Sequence, residues 1–381
     1  MTSRADLTSI DAAVARGALD EAAVLIEQAL PGSGGDPTLY LKLAGLRRAQ
    51  RQPQRALEAV HGALALAPLN FIALALRAAL LERLDPAAAG QAWFEALAQR
   101  PAGALPPGMD GALSTGEALR DAWQVQRGDQ FRQATKQAMV AADADLAWKI
   151  DRFVSNVLRT TKVWHSQPTH YHYPGLTERE FHPRAHFAWL DELEARTPQI
   201  RAEMQAAMAS GRSELVPYIE YQDHEALAQW RALNRNPDWT AIHLIKQGQL
   251  NAANAAACPV TMALLAKIPQ PVIPGASPNA MFSLLAPQTV IPPHVGINNG
   301  RLVCHLPLIV PQGCWLRVGG DTRNWRAGEA IVFDDTVEHE ASNPSDQLRV
   351  VLIFDVWHPD LTPIECSAIA DLIAADTGGV R

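Results

Sequence analysis

Residues 281–296, MFSLLAPQTVIPPHVG, decide the fold together with RLVCHLPLIV (301–310), FDDTVEHE (333–340) and LRVVLIFDVWHPDLTP (348–363). From Ala280 onward short apolar runs alternate with Gly, Pro and Asn turns, which predicts an all-β sandwich or barrel. Two histidines, His294 and His339, stand 45 residues apart on successive β segments, and Arg349 follows the second by ten. At the mouth of a double-stranded β-helix, neighbouring strands bring such side chains to one metal; imidazole suits Fe(II), with positions left open for other ligands. In the usual facial triad an Asp or Glu stands two residues after the first histidine, and here that position is Gly296.

Composition bounds the rest. A chain of 381 residues, 48% hydrophobic and 19% charged, fills real cores and has room for two domains. A net charge of -7 and a pI near 5.9 give no basic footprint, which argues against nucleic acid and anionic membranes as partners. Cys258, Cys304, Cys314 and Cys366 lie far apart with no CxxC pair and read as reduced thiols. The opening MTSRADLTSIDAAVARG is not a signal peptide, and no segment approaches the roughly 18 apolar residues of a membrane span. A cytoplasmic protein is expected.

From about Ile10 to Pro101 alanine and leucine recur at helical spacing, with breaks at Gly17, Pro31 to Pro37, Pro53, Pro68 and Pro86. Ala22 and Ala56 are 34 residues apart, and a 34-residue frame starting at Pro37 puts Tyr40, Leu43, Ala44, Ala56, Val60, Ala63 and Pro68 on signature positions. The segment is similar to a tetratricopeptide array of about three helix-turn-helix units, with Arg47 where such repeats usually carry an aromatic. The Pro- and Gly-rich PAGALPPGMDG (101–111) then breaks the pattern, and connecting helices are predicted from Glu117 to about Thr161. The reading is an α+β multidomain chain: helical repeats over 1–105, a helical linker over 106–162, and a double-stranded β-helix of jelly-roll type with flanking helices over 163–381.

Between Tyr173 and Pro363 the fragments YPGL, WTAIHLIKQG, CPVT, HVG, FDDTVEHE and LRVVLIFDVWHPDLTP resemble the aspartyl/asparaginyl β-hydroxylase family of Fe(II)- and 2-oxoglutarate-dependent oxygenases. That family holds iron with two histidines and no carboxylate, so Gly296 becomes part of the match. The resemblance implies His294 and His339 as iron ligands, Arg349 and Ser283 as the clamp on the distal carboxylate of 2-oxoglutarate, and His305 as a further contact to it; a planar two-donor guanidinium suits that carboxylate. One family arginine is Val303 here, and Arg301, on the same strand face, is expected to reach inward instead.

The implied chemistry consumes O2 and 2-oxoglutarate and hydroxylates an Asp or Asn residue of a peptide or protein docked on the repeats. The competing expectations are a free or carrier-bound amino acid or a lipid acyl chain as substrate, halogenation, and a non-catalytic scaffold that senses 2-oxoglutarate. Asp334, Asp335 and Glu338 read as turn caps or outer supports of His339, His358 as a packed residue, and Cys304 and Cys314 as core thiols. His170, His172, His182 and His186 read as surface or domain-contact residues.

Overall fold

The computed structural model describes residues 4–32, 36–209, 215–220, 229, 231 and 234–378; part of the Pro31 to Pro37 break lies outside them. The chain divides into two compact units, Met1–Thr160 and Thr161–Arg381.

In the first unit, helices pair in sequence order: α1 (Arg4–Ala15) with α2 (Leu19–Ala29), α3 (Pro37–Ala49) with α4 (Pro53–Leu66), and α5 (Phe71–Leu84) with α6 (Pro86–Leu97). Prolines occupy the first turn of α3, α4 and α6, where their missing N–H costs nothing, and the side chains of Asp36, Asn70 and Asp85 cap α3, α5 and α6. Ala44, Ala56 and Ala63 are fully buried, as close helix packing requires. The departure at Arg47 is accommodated by charge: its buried guanidinium pairs with Glu27, and its Nη1 donates to Gln50 and Gln52 at 3.1 and 3.2 Å. Two further helices follow, α7 (Asp110–Ala141) and α8 (Ala144–Val157). The first begins seven residues before the predicted Glu117. Gly116, within this early part of α7, lies against the Trp93 indole, where a Cβ would come within 2.4 Å, so the glycine serves a contact.

In the second unit a seven-stranded antiparallel sheet faces a four-stranded one. The larger contains β1 (Val216–Pro217), β2 (Trp239–Lys246), β3 (Gln249–Leu250), β4 (Ala280–Leu285), β6 (Arg301–Ile309), β9 (Ile331–Phe333) and β11 (Arg349–Trp357), in the order β1-β2-β4-β11-β6-β9 with β3 beside β2. The smaller has the order β5-β10-β7-β8, made by β5 (Thr289–His294), β7 (Trp315–Val318), β8 (Asp321–Asn324) and β10 (His339–Asn343). Strand alternation divides the core. Phe282, Leu284, Leu302, Cys304, Leu306, Val350, Leu352 and Phe354 pack outward on helices α9 (Leu190–Ala195), α10 (Thr197–Ala209) and α12 (Pro259–Leu265). Met281, Leu285, Val303, Val351 and Ile353 point inward to Ile291, Leu316, Val318 and Ala341 of the smaller sheet.

The sequence suggests one helix through Leu190, Leu193, Ile200 and Met204. All four residues are buried, but the helix breaks at Arg196, because Pro198 has no N–H for a continuing ladder and Thr197 Oγ1 donates to the Glu194 carbonyl instead. Helix α12, in the segment CPVTMALLAKIP, is capped from a distance: Glu203 of α10 accepts from Val260 N at 2.7 Å, Thr261 N at 2.9 Å and Thr261 Oγ1 at 2.7 Å. Glu203→Ala strands two backbone donors and a hydroxyl at once. It is expected to lower the stability of the β unit by about 2 kcal/mol, read in thermal melts as a drop of about 4–8 °C.

Candidate functional site

His294 ends β5 and His339 begins β10, and the two are direct cross-strand partners. Local sequence explains why they meet. β5 is an edge strand, so Pro292 and Pro293 are tolerated there, and the register of β10 on β5 shifts between His339 and Ala341, an irregularity of the kind that re-aims side chains beside sites. The ring centroids lie 3.9 Å apart, and each residue is only 8% exposed. Each Nδ1–H donates to a backbone carbonyl, that of Pro292 at 2.7 Å and of Val337 at 3.1 Å, which makes Nε2 the lone-pair nitrogen of each ring. Burial keeps both imidazoles neutral: it pulls His339 down to about 4, and burial together with His339 pulls His294 well below its ordinary value. Among the described residues no set of three His, Cys, Asp or Glu side chains is grouped to hold a metal, so the pair stands without a protein carboxylate as third ligand.

The place of that carboxylate is occupied. A Cβ on Gly296 would come within 2.4 Å of the Asp335 carboxyl group, so a larger residue cannot enter without displacing Asp335. Asp335 is itself locked: its backbone carbonyl accepts from Gly296 N at 2.7 Å, its Oδ2 accepts from Arg301 Nη2 at 3.0 Å, and its buried Oδ1 has no hydrogen-bond partner among the described residues. Burial pushes this carboxyl up, against the pull of Arg301. Arg301 reaches inward as expected, yet its charge is taken by Asp335 and by Asp355, whose Oδ1 lies 3.4 Å from Nη1. It therefore adds no net positive charge to replace the arginine absent at Val303.

Arg349, at the other end of the pocket, is different. It is 1% exposed, and its hydrogen-bonding partners are Ser283 Oγ at 3.4 Å and the Ser283 carbonyl at 3.5 Å. No carboxylate among the described residues pairs with it, and its Nε is unpartnered. Burial pulls the guanidinium down to about 10, so it is a charged group at neutral pH. Trp239 Nε1 donates to the same Ser283 hydroxyl at 3.1 Å, and Tyr218 stacks on Trp239 at 4.0 Å. His305 lines the pocket beside Phe333 and is held neutral by burial first and by Arg349 and His339 next. The cavity, about 270 Å³, is thus lined by His294, His339, Asp335, Arg301, Arg349, Ser283 and His305 within apolar walls.

The remaining candidates fall elsewhere. Asp334 caps its own turn, accepting from Thr336 N at 2.9 Å and Thr336 Oγ1 at 2.5 Å, and Glu338 pairs with Arg317 at 3.1 Å. His358 is buried, with Nε2 on the Thr177 carbonyl and Nδ1 accepting from Asp360 N. His170, His172 and His186 are exposed. His182 is not: it lies edge-on against His358 at 4.9 Å, and burial pulls it down to about 3. Cys304 faces the helices, and Cys314 Sγ donates to Asn343 at 3.2 Å. Trp239, Tyr218 and Trp325 were not singled out from sequence. Alternation along β2 places Trp239, Ala241 and His243 on the inward face, a signal that was available for the first.

Facing antiparallel sheets enclose two neutral, adjacent imidazoles at one end of the pocket and, at the other, a buried guanidinium without a carboxylate partner among the described residues, in a jelly-roll fold. Residues 194–359 match the model of the Aspartyl/Asparaginyl beta-hydroxylase family. The chain is 37% identical over 133 residues to human aspartyl/asparaginyl beta-hydroxylase, covering 34% of this chain and 17% of that protein. It is 36% identical over 154 residues to human aspartate beta-hydroxylase domain-containing protein 2, covering 39% and 42%. With the ornithine lipid ester-linked acyl 2-hydroxylase of Rhizobium tropici it shares 34% identity over 194 residues, covering 50% and 65%. The chain thus spans between about a sixth and two thirds of the length of these relatives. Among the described residues no helix is long and apolar enough to cross a membrane.

Proposed function

We propose that residues 163–381 form an Fe(II)- and 2-oxoglutarate-dependent oxygenase domain, following a repeat domain over 1–105 and a helical linker over 106–162. In this reading it hydroxylates the β-carbon of an Asp or Asn residue in a peptide or protein held by the repeats. The observation that carries the reading is Arg349, a buried guanidinium without a carboxylate partner among the described residues, in one cavity with two neutral, adjacent imidazoles. A buried cation left unpaired is costly, and an anionic ligand removes that cost.

The donor set fits the metal: His294 and His339 would hold it through Nε2, with their Nδ1–H groups fixing the ring planes. Bound iron would supply the oxidative decarboxylation of 2-oxoglutarate by O2 to succinate and carbon dioxide, with the second oxygen atom inserted into a substrate C–H bond. The protein's part is placement. Arg349 and Ser283, the latter oriented by Trp239, receive the distal carboxylate, and His305 forms a neutral wall beside it. Asp335 supplies beside His294 the negative charge that the missing acid would have carried, with its rotamer fixed by Arg301. Ile291, Leu316 and Phe333 keep the space between these groups dry.

The names of the human relatives support an Asp or Asn substrate, and the repeats support a macromolecular one. A lipid acyl chain is the second reading, favoured by the longer match to the Rhizobium acyl hydroxylase. Four free thiols support a cytoplasmic setting. The test is succinate formation by purified protein with Fe(II), ascorbate, O2 and 2-oxoglutarate and no added substrate. Slow uncoupled turnover that a chelator abolishes is expected. Neither succinate nor 2-oxoglutarate binding would move the chain to the scaffold reading.

A further inference from the structure

Among the described residues Arg349 has no carboxylate partner, and the structure shows what it has instead. The guanidinium carbon lies 4.6 Å from the centroid of the Trp325 ring, over its face. Trp325 is 4% exposed, follows β8 directly, and its backbone N–H donates to the Cys314 carbonyl at 3.3 Å. Its indole Nε1–H is buried without a hydrogen-bond partner among the described residues, so no polar bond of its own explains its position. What holds the ring is packing within the core between the sheets, including His305 with centroids 5.9 Å apart. A tryptophan face is the best aromatic partner for a guanidinium, and the attraction is largest where both are out of water. The hydrogen bonds from Arg349 to Ser283, at 3.4 and 3.5 Å, are long and do little to fix it.

We propose that Trp325 is a positioning residue for the pocket's anion clamp: its indole face takes the place of the counter-ion that Arg349 lacks and holds the guanidinium ready for the distal carboxylate of a dicarboxylic oxo acid. The inference rests on the reading of the pocket given above. It separates two jobs that sequence assigns to one residue. Arg349 supplies the charge, and Trp325 keeps that charge in the pocket while no ligand is present. Without the ring the guanidinium has no comparable partner at this end, and the neighbouring acids, Asp335 and Asp355, are already engaged by Arg301.

The test compares two ligands by calorimetry in the absence of oxygen, with Mn(II) in place of iron: 2-oxoglutarate, and 2-oxopentanoate, which has a methyl group where the distal carboxylate would be. Trp325→Leu keeps apolar bulk and removes the π face. It is expected to weaken 2-oxoglutarate about thirtyfold, the equivalent of about 2 kcal/mol from a desolvated cation–π pair, and to leave 2-oxopentanoate within about twofold. Trp325→Phe keeps a weaker face and should fall between, a partial rescue that packing alone does not require. Equal weakening of both ligands, or of neither, overturns the proposal; the first outcome makes Trp325 a wall and the second makes it dispensable. A wild-type protein that does not prefer 2-oxoglutarate to 2-oxopentanoate overturns the clamp itself, and with it this inference.

Discussion

His339→Ala is expected to lower affinity for a divalent metal by at least about a hundredfold, more than is typically lost with an outer-shell partner, and to abolish succinate formation. The expectation follows from how few ligands the chain offers. With three or four protein ligands, one loss leaves a weakened chelate. Here two histidines stand paired across β5 and β10, no third His, Cys, Asp or Glu is grouped with them among the described residues, and Gly296 fills the position where a carboxylate would help. One remaining imidazole is a monodentate ligand that competes poorly with water. The fold should tolerate the change, since the His339 ring bonds only to nearby backbone, at Val337 and Asp335, and its ladder bonds are backbone bonds. Titration with Co(II), read by calorimetry, checks the affinity, and circular dichroism checks the fold. Metal bound at wild-type affinity by a folded His339→Ala protein would remove the histidine pair from its proposed role.

Much of this site is legible in the sequence because its parts lie on strands of clear alternation. HVG and LRVV each carry one polar side chain on an otherwise apolar inward face, so His294 and Arg349 can be picked out, His339 is the one histidine of FDDTVEHE although Asp335 beside it also lines the pocket, and Ser283 and His305 follow by register on β4 and β6. What sequence does not give is who satisfies whom. Arg301 and Arg349 look equivalent as text, both inward-facing arginines on adjacent strands. One is paired with two acids and the other with none, and that difference depends on Asp335 and Asp355, 34 and 54 residues away from Arg301. The same holds for Gly296, whose missing side chain is explained by the Asp335 carboxyl group, and for Trp325, which sits in a polar stretch, DTRNWRAG, and reads as a turn residue. The helices show the same limit: period and prolines give the hairpins, and Pro198 marks the break between α9 and α10, while the start of α7 depends on contacts.

The histidines that make the pocket also make the metal-free protein acid-labile. His182, His243, His294, His305, His339 and His358 all have folded pKa values pulled down, with burial the largest cause in each; His182 is at about 3, and His243 and His339 at about 4. In the unfolded chain each titrates near its ordinary value of about 6.5. Between that value and the folded one the unfolded state binds more protons than the native state, so stability falls as pH falls through the window and is fully present above it. One group with a resolved value acts in the opposite sense. Asp334 is raised to about 7, chiefly by burial, so the native state is the one that holds its proton in the weakly acid range. Six imidazoles against this one carboxyl leave a net uptake of several protons on unfolding, each worth about 1.4 kcal/mol per pH unit once its window is entered. Denaturant titrations of the metal-free protein should therefore show stability steady from pH 8 to about 7 and a loss of several kcal/mol by about pH 5.5, with slope reduced by one proton in His182→Phe. His182 is the informative substitution because it packs on His358, away from the pocket, and its removal leaves the histidine pair and Arg349 as they are. A flat profile over that range would mean that these imidazoles reach water in the native state, and so would argue against the dry, neutral site on which metal binding through Nε2 depends.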